Sequence, residues 1–166
     1  MEPGWAHRLA VLSSSGRGQA LATELGGFGV TGSNHSPSDL GRLVDGARGR
    51  VDVLLNSAGH GPKGDIPDIT DDQWHAEMEV YLLNVIRPTR LVTSIMAAQG
   101  DGAIINILTF AAFEPDPAFP TSAIFQILGY AAIGSGWSSA SCGRTGPSCL
   151  IHVVVPGSTV VGTASR

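Results

Sequence analysis

Lysine is nearly missing: Lys63 stands alone in 166 residues, and nine arginines supply the rest of the positive charge. Those arginines are scattered, and the net charge is -4, so a nucleic-acid partner is not expected. Charged residues are 14% of the chain, against a usual share of about 25%. With 43% apolar residues, that scarcity excludes a disordered, charge-rich chain. Cysteine is scarce as well, for Cys142 and Cys149 are too few for a disulfide framework and wrongly spaced for a zinc knuckle. His7, His35, His60, His75 and His152 show no metal-ligand spacing either, so no metal is expected. The longest apolar run, residues 103–113, is about half of what a bilayer crossing needs. The start, Met-Glu-Pro-Gly-Trp, lacks a basic-then-apolar leader, and the expectation is a soluble, cytoplasmic protein. Neither a G-x-S-x-G elbow nor a G-x-x-x-x-G-K-[ST] loop occurs, which weakens hydrolase and NTPase readings.

Glycine, by contrast, is abundant, at 22 residues, and points to tight turns and close backbone approaches. Short apolar runs alternate with helix-like segments without internal repeat, the pattern of a parallel sheet with crossover helices in a single domain, 1–166. Leu9 to Ser13 reads as a first strand, followed by Ser14-Ser15-Gly16-Arg17-Gly18 and a helix from Gln19 to Leu25. Phe28 to Gly32 is a second strand. Ser36, Pro37 and Asp39 then supply an N-cap, a first-turn proline and an acid at the third helical position, predicting a helix through about Ala47.

Val51 to Asn56 is a buried strand ending in Ser57-Ala58-Gly59. Thr70 and Gln73 form a capping box, so a long helix should start near Asp71 and stop at Gly100. Pro88 falls inside it and has no N–H for the carbonyl four residues back, which predicts a kink with the Asn84 carbonyl left free. Ala103 to Leu108 and Leu150 to Val155 are two more strands. Ser122 to Ile133 is a candidate helix, and the glycine- and serine-rich stretch from Gly134 to Ser148 reads as a loop or linker.

A glycine turn between a first strand and a helix lets backbone N–H groups and the helix dipole face a pyrophosphate. Taken with Asn56-Ser57-Ala58-Gly59, Asn84, Asn106-Ile107-Leu108-Thr109 and Pro156-Gly157 in this order, it resembles the short-chain dehydrogenase/reductase family, over about residues 8 to 126 and loosely 150 to 159. The resemblance implies a Rossmann-type doubly wound parallel α/β sheet and reversible NAD(P)-linked carbonyl/alcohol redox chemistry on a small-molecule substrate. It further implies a cofactor site at Ser13, Gly16, Arg17, Gly18, Asn56, Ala58, Gly59, Pro156, Gly157 and Thr159. In the family's catalytic positions stand Thr109, Asn84, Ser122 and Gln126, with Asn84 matching an asparagine whose carbonyl holds a relay water.

The departures fall on the chemistry. The family uses a tyrosine as acid/base and a lysine one turn later; counting from Thr109 puts Ser122 and Gln126 there. A phenol with reference pKa about 10 needs a nearby cation to work near neutral pH, and an alcohol beside a neutral amide is no substitute. Lys63 lies in the loop after Gly59, from which it could swing toward the site. Leu12 takes the place of the first glycine of the cofactor loop. Between Gly18 and Asn56 the chain is short by about one βαβ unit, and by the same resemblance the sheet is expected to lack its last strand. No clear acid stands at the tip of the second strand, where Ser33 and Asn34 are neutral, while Arg17 is available for a 2′-phosphate, a slight lean to NADP. The expectation is a truncated or degenerate member with impaired activity. The alternatives are a non-catalytic nucleotide- or partner-binding module, as a homo-oligomer or paired with an intact relative, and an unstable truncated product.

Overall fold

A computed structural model describes residues 9–57, 61–109, 117–136 and 148–155. The chain divides into two compact units, Met1–Val51 and Asp52–Arg166.

The first unit is strand, helix, strand, helix: β1 (Ala10–Ser13), α1 (Gly16–Glu24), β2 (Phe28–Thr31) and α2 (Pro37–Gly46). β1 and β2 run parallel in register Ala10↔Phe28 through Ser13↔Thr31. A parallel pair needs a crossover, and α1 supplies it. Ala22, Val30 and Leu40 form the buried core. Glycine permits the tight helix-to-strand packing: a Cβ on Gly18 would collide with Ser13, and one on Gly29 would lie 2.6 Å from Gln19 Cα. The start of α2 is as expected, with Ser36 Oγ accepting from the Asp39 N–H at 3.3 Å and Pro37 in the first turn. α1, however, begins at Gly16 behind the N-cap Ser15 rather than at Gln19, so Gly16, Arg17 and Gly18 are helix residues and not loop residues.

In the second unit three parallel strands, β3 (Val53–Ser57), β4 (Gly102–Thr109) and β5 (Ser148–Val155), lie in the order β3-β4-β5. Between β3 and β4 come a 3₁₀ turn (Ile66–Asp68), α3 (Asp71–Glu77), a π-helical segment (Met78–Leu83) and α4 (Asn84–Gln99). The capping box at Thr70 and Gln73 is formed on both sides, and Gly100 ends α4 in the left-handed conformation at φ 75°. The single long helix of the sequence reading is thus three pieces. Its irregularity falls over Met78–Leu83, directly ahead of Asn84, which lies four residues before Pro88.

α5 (Pro120–Gly136) crosses from β4 toward β5. The expected loop from Gly134 to Ser148 is corrected at both ends: Gly134 to Gly136 continue α5, and Ser148 opens β5. Glycine and serine are weak vetoes on helix and strand when packing favours them; residues 137–147 lie outside the described residues. Tyr81, Val85, Val92, Met96, Ile104 and Ala123 make the core of this unit.

Candidate functional site

In the first unit the expected cofactor residues gather where β1 gives way to α1. Ser13 Oγ lies 3.3 Å from both the Ser15 hydroxyl and the Ser15 N–H, tightening the serine turn. Gly18 is buried against Ser13, which is the packing role of a glycine rather than a ligand-facing one. Gly16 differs: nothing lies within 4 Å of a Cβ built there, so the first turn of α1 is open at that point. That turn holds no acidic residue, and Arg17 is exposed in it. Free N–H groups at a helix start, an open glycine and no competing carboxylate suit an anionic phosphate.

At the carboxyl end of β2 the structure adds a group that the sequence reading missed. Asp39 reaches back from α2, accepts the Ser33 N–H at 2.9 Å and pairs with Arg42 at 2.6 Å, while Arg42 also donates to the Thr31 carbonyl at 3.3 Å. The Ser33 N–H, followed by the Arg42 guanidinium, holds the Asp39 carboxyl below its ordinary value. Its sequence signal is an acid at the third position of α2, which a helix start alone explains equally well.

The second unit assembles the other residues. Asn56 and Asn106 are register partners on β3 and β4, both buried, with Asn56 Nδ2 donating to Asn106 Oδ1 at 2.8 Å. Asn84, also buried, donates its side-chain N–H to the Ser57 carbonyl at 3.2 Å, so α4 is tied to the end of β3. Thr109 is the last residue of β4, in register with Val155. On α5, Ser122 and Gln126 share one face as their spacing requires, and Gln126 Nε2 donates to Ser122 Oγ at 2.7 Å, both side chains buried. Lys63 Nζ stands 5.2 Å from the centroid of the Phe119 ring, a cation–π contact beside the start of α5. Ala58, Gly59, Pro156, Gly157 and Thr159 lie outside the described residues.

Four further residues meet beside this pair, and no motif announced them. The Gly61 N–H donates to the Tyr81 hydroxyl at 2.7 Å. A Cβ on Gly61 would collide with Glu77 Oε2 and lie 3.0 Å from Thr121 Oγ1. Both of those oxygens are buried without a hydrogen-bond partner, and burial pushes the Glu77 carboxyl above its ordinary value. Among the described residues there is no cluster of side chains that could hold a metal ion, and no helix long and apolar enough to cross a membrane.

A family model described as short chain dehydrogenase matches residues 3–122. The uncharacterized oxidoreductase YvrD of Bacillus subtilis is 27% identical over 144 residues, 82% of this chain and 52% of that protein. The chain spans about half of YvrD's length. Among solved structures, an apo SCOR enzyme from Clostridium thermocellum is similar at TM-score 0.78 and 22% identity, over 96% of this chain and 65% of that one. L-sorbose reductase from Gluconobacter frateurii, solved with NADPH and L-sorbose, is similar at TM-score 0.70 and 21% identity, over 77% of this chain and 52% of its own. The α/β architecture of parallel strands and crossover helices is therefore the Rossmann-type fold of these structures.

Proposed function

Because the chain belongs to the short-chain dehydrogenase family, we propose that residues 1–166 act as one domain that binds a nicotinamide dinucleotide and derives from carbonyl/alcohol oxidoreductases, with little or no turnover by the family's usual route. The observation that carries the reading is the start of α1: Gly18 packed on Ser13, Gly16 open, and no acid in the first turn. Backbone N–H groups there would hold the pyrophosphate, with Arg17 beside them, while Asn56, Ala58 and Gly59 would serve the adenine side and Pro156, Gly157 and Thr159 the nicotinamide side. When bound, the cofactor supplies or accepts a hydride. Thr109 would orient a substrate oxygen, and Asn84 would place a relay water.

What fails in this scheme is the proton. Ser122 accepts from Gln126 instead of meeting a cation, so neither residue lowers the cost of protonating a carbonyl oxygen. This favours the non-catalytic binding module, acting in the cytoplasm as a homo-oligomer or beside an intact relative, over an active reductase. NADPH is preferred over NADH on the strength of Arg17, and L-sorbose reductase with NADPH bound is one structural relative that supports a nicotinamide ligand. The test is a thermal melt of the chain with and without NADPH and NADH, paired with a turnover assay on a carbonyl panel. A cooperative melt raised by cofactor, without turnover, is the expected result, since a ligand that binds only the folded state raises the melting temperature. A melt indifferent to both cofactors overturns the proposal.

A further inference from the structure

Glu77 is a carboxyl the proposed chemistry does not use, and it is 6% exposed. It lies at the end of α3 in a stretch whose other acids, Asp71 and Asp72, are exposed, so solvation does not explain its position. Its Oε2 faces the Cα of Gly61, leaving no room for any side chain there, and Thr121 Oγ1 borders the same spot. Four residues along from Glu77, the Tyr81 hydroxyl takes the Gly61 N–H. Gly61 is therefore gripped from three sides, by α3, by the π-helical segment and by the first turn of α5. Two residues further on, Lys63 covers Phe119, and three on, Gly64 donates its N–H to the Ala118 carbonyl at 3.2 Å, so residues 61–64 are fastened to the approach to α5.

We propose that Glu77, with its side chain neutral, is a positioning residue that fixes residues 61–64, between β3 and α3, through Gly61 and Thr121. A buried, unpartnered carboxylate oxygen is costly, and so is an unpartnered hydroxyl. A neutral carboxyl reduces both costs, because it carries an O–H that Thr121 Oγ1 can accept after a small rotation. Once ionised, Glu77 has no described cation to meet. On the elements around it the charged groups are exposed Asp71, Asp72 and His75, Glu79 held by Arg87, and Lys63 and Asp65 in the segment itself; the phenol of Tyr81 is the remaining titratable group, engaged by Gly61. Ionisation therefore loosens the grip. The burial that raises the Glu77 carboxyl agrees with this. The segment leads back to Gly59, so on the reading under Proposed function a bound nicotinamide dinucleotide and a neutral Glu77 favour each other.

The experiment follows the Gly61 amide by hydrogen exchange in the cofactor-free 166-residue chain, and the Glu77 carboxyl by carbon NMR, across a pH series. Protection of Gly61, corrected for intrinsic exchange, should fall about tenfold or more as Glu77 ionises above 4.5, the ordinary glutamate value. E77Q, neutral at every pH, should keep its protection throughout. Protection that does not follow the Glu77 titration overturns the proposal, and this arm needs no variant that must fold. E77Q tracking the wild-type loss overturns it equally. NADPH affinity, read by fluorescence titration, should weaken with rising pH in the wild type and stay flat in E77Q. Absence of NADPH binding at any pH, with the Gly61 pattern as expected, sinks the cofactor reading and leaves the role of Glu77 supported.

Discussion

Gln126 donates to the Ser122 hydroxyl across 2.7 Å, one turn along α5, and both side chains are buried. The positions are geometrically paired, and neither side chain carries a charge. Ser122→Tyr with Gln126→Lys places a phenol beside a cation on that face, which lowers the phenol's pKa. NADPH oxidation over a carbonyl panel should rise about a hundredfold over the parent chain in the double variant, the usual range for one acid/base group. Each single variant should stay at the parental level. Equal activity in a single and the double variant would mean that the two positions do not act together.

The start of α1 predicts opposite outcomes for two neighbouring glycines. Gly18→Ala forces a Cβ into Ser13 and should cost about 1–3 kcal/mol, read as a lowered melting temperature. Gly16→Ala meets open space and should leave the melt unchanged, yet weaken NADPH roughly tenfold by standing where the pyrophosphate approaches. Unchanged NADPH affinity in Gly16→Ala would move the phosphate site elsewhere.

Asn56 and Asn106 form a buried amide pair between neighbouring strands, and Asn106 Nδ2 has no partner in it. Asn56→Ala strips Asn106 of its donor and should destabilise by about 1–3 kcal/mol. Replacing both by leucine should cost much less than the sum of the two single changes. A double-mutant cycle by chemical denaturation measures that coupling.

Asp39 sets a pH dependence. Its carboxyl is held below 3.8 by the Ser33 N–H and by Arg42, so its contribution is present above the unfolded-state value and is lost as pH falls through the folded one. Asp39→Asn should flatten the acid limb of a melting-temperature series, and high salt should shrink the difference because the pair with Arg42 is exposed. An acid limb identical in both proteins would remove Asp39 from the account.

What the sequence made legible was local. Ser36 with Pro37, Thr70 with Gln73, and Gly100 each act within one helical turn, and each sits where its chemistry predicts. The pairing of Ser122 with Gln126 was equally readable, because a helix fixes the relation of positions four apart. Distance in sequence hid the rest. Glu77, Tyr81, Thr121 and Gly61 converge from separate elements, and an acid in a run with Asp71 and Asp72 looks like a solvated face until its burial is seen. Asp39 was read as a helix signal because its second task, at the end of β2, depends on how α2 folds back. The π-helical segment was invisible for a related reason: Pro88 announces a disturbance in the hydrogen-bond ladder but not the form it takes upstream.

Helix α1 touches both strands of its unit where side chains are missing, Gly18 against Ser13 and Gly29 against Gln19. Hard cores already face each other at those points, so a slide or roll along the strands meets steep repulsion, with no pliable side chain to swing aside. Any accommodation of a guest in this unit must then come from rotating bonds in the serine triplet ahead of the helix, which leaves α1 as a fixed post against which the turn adjusts.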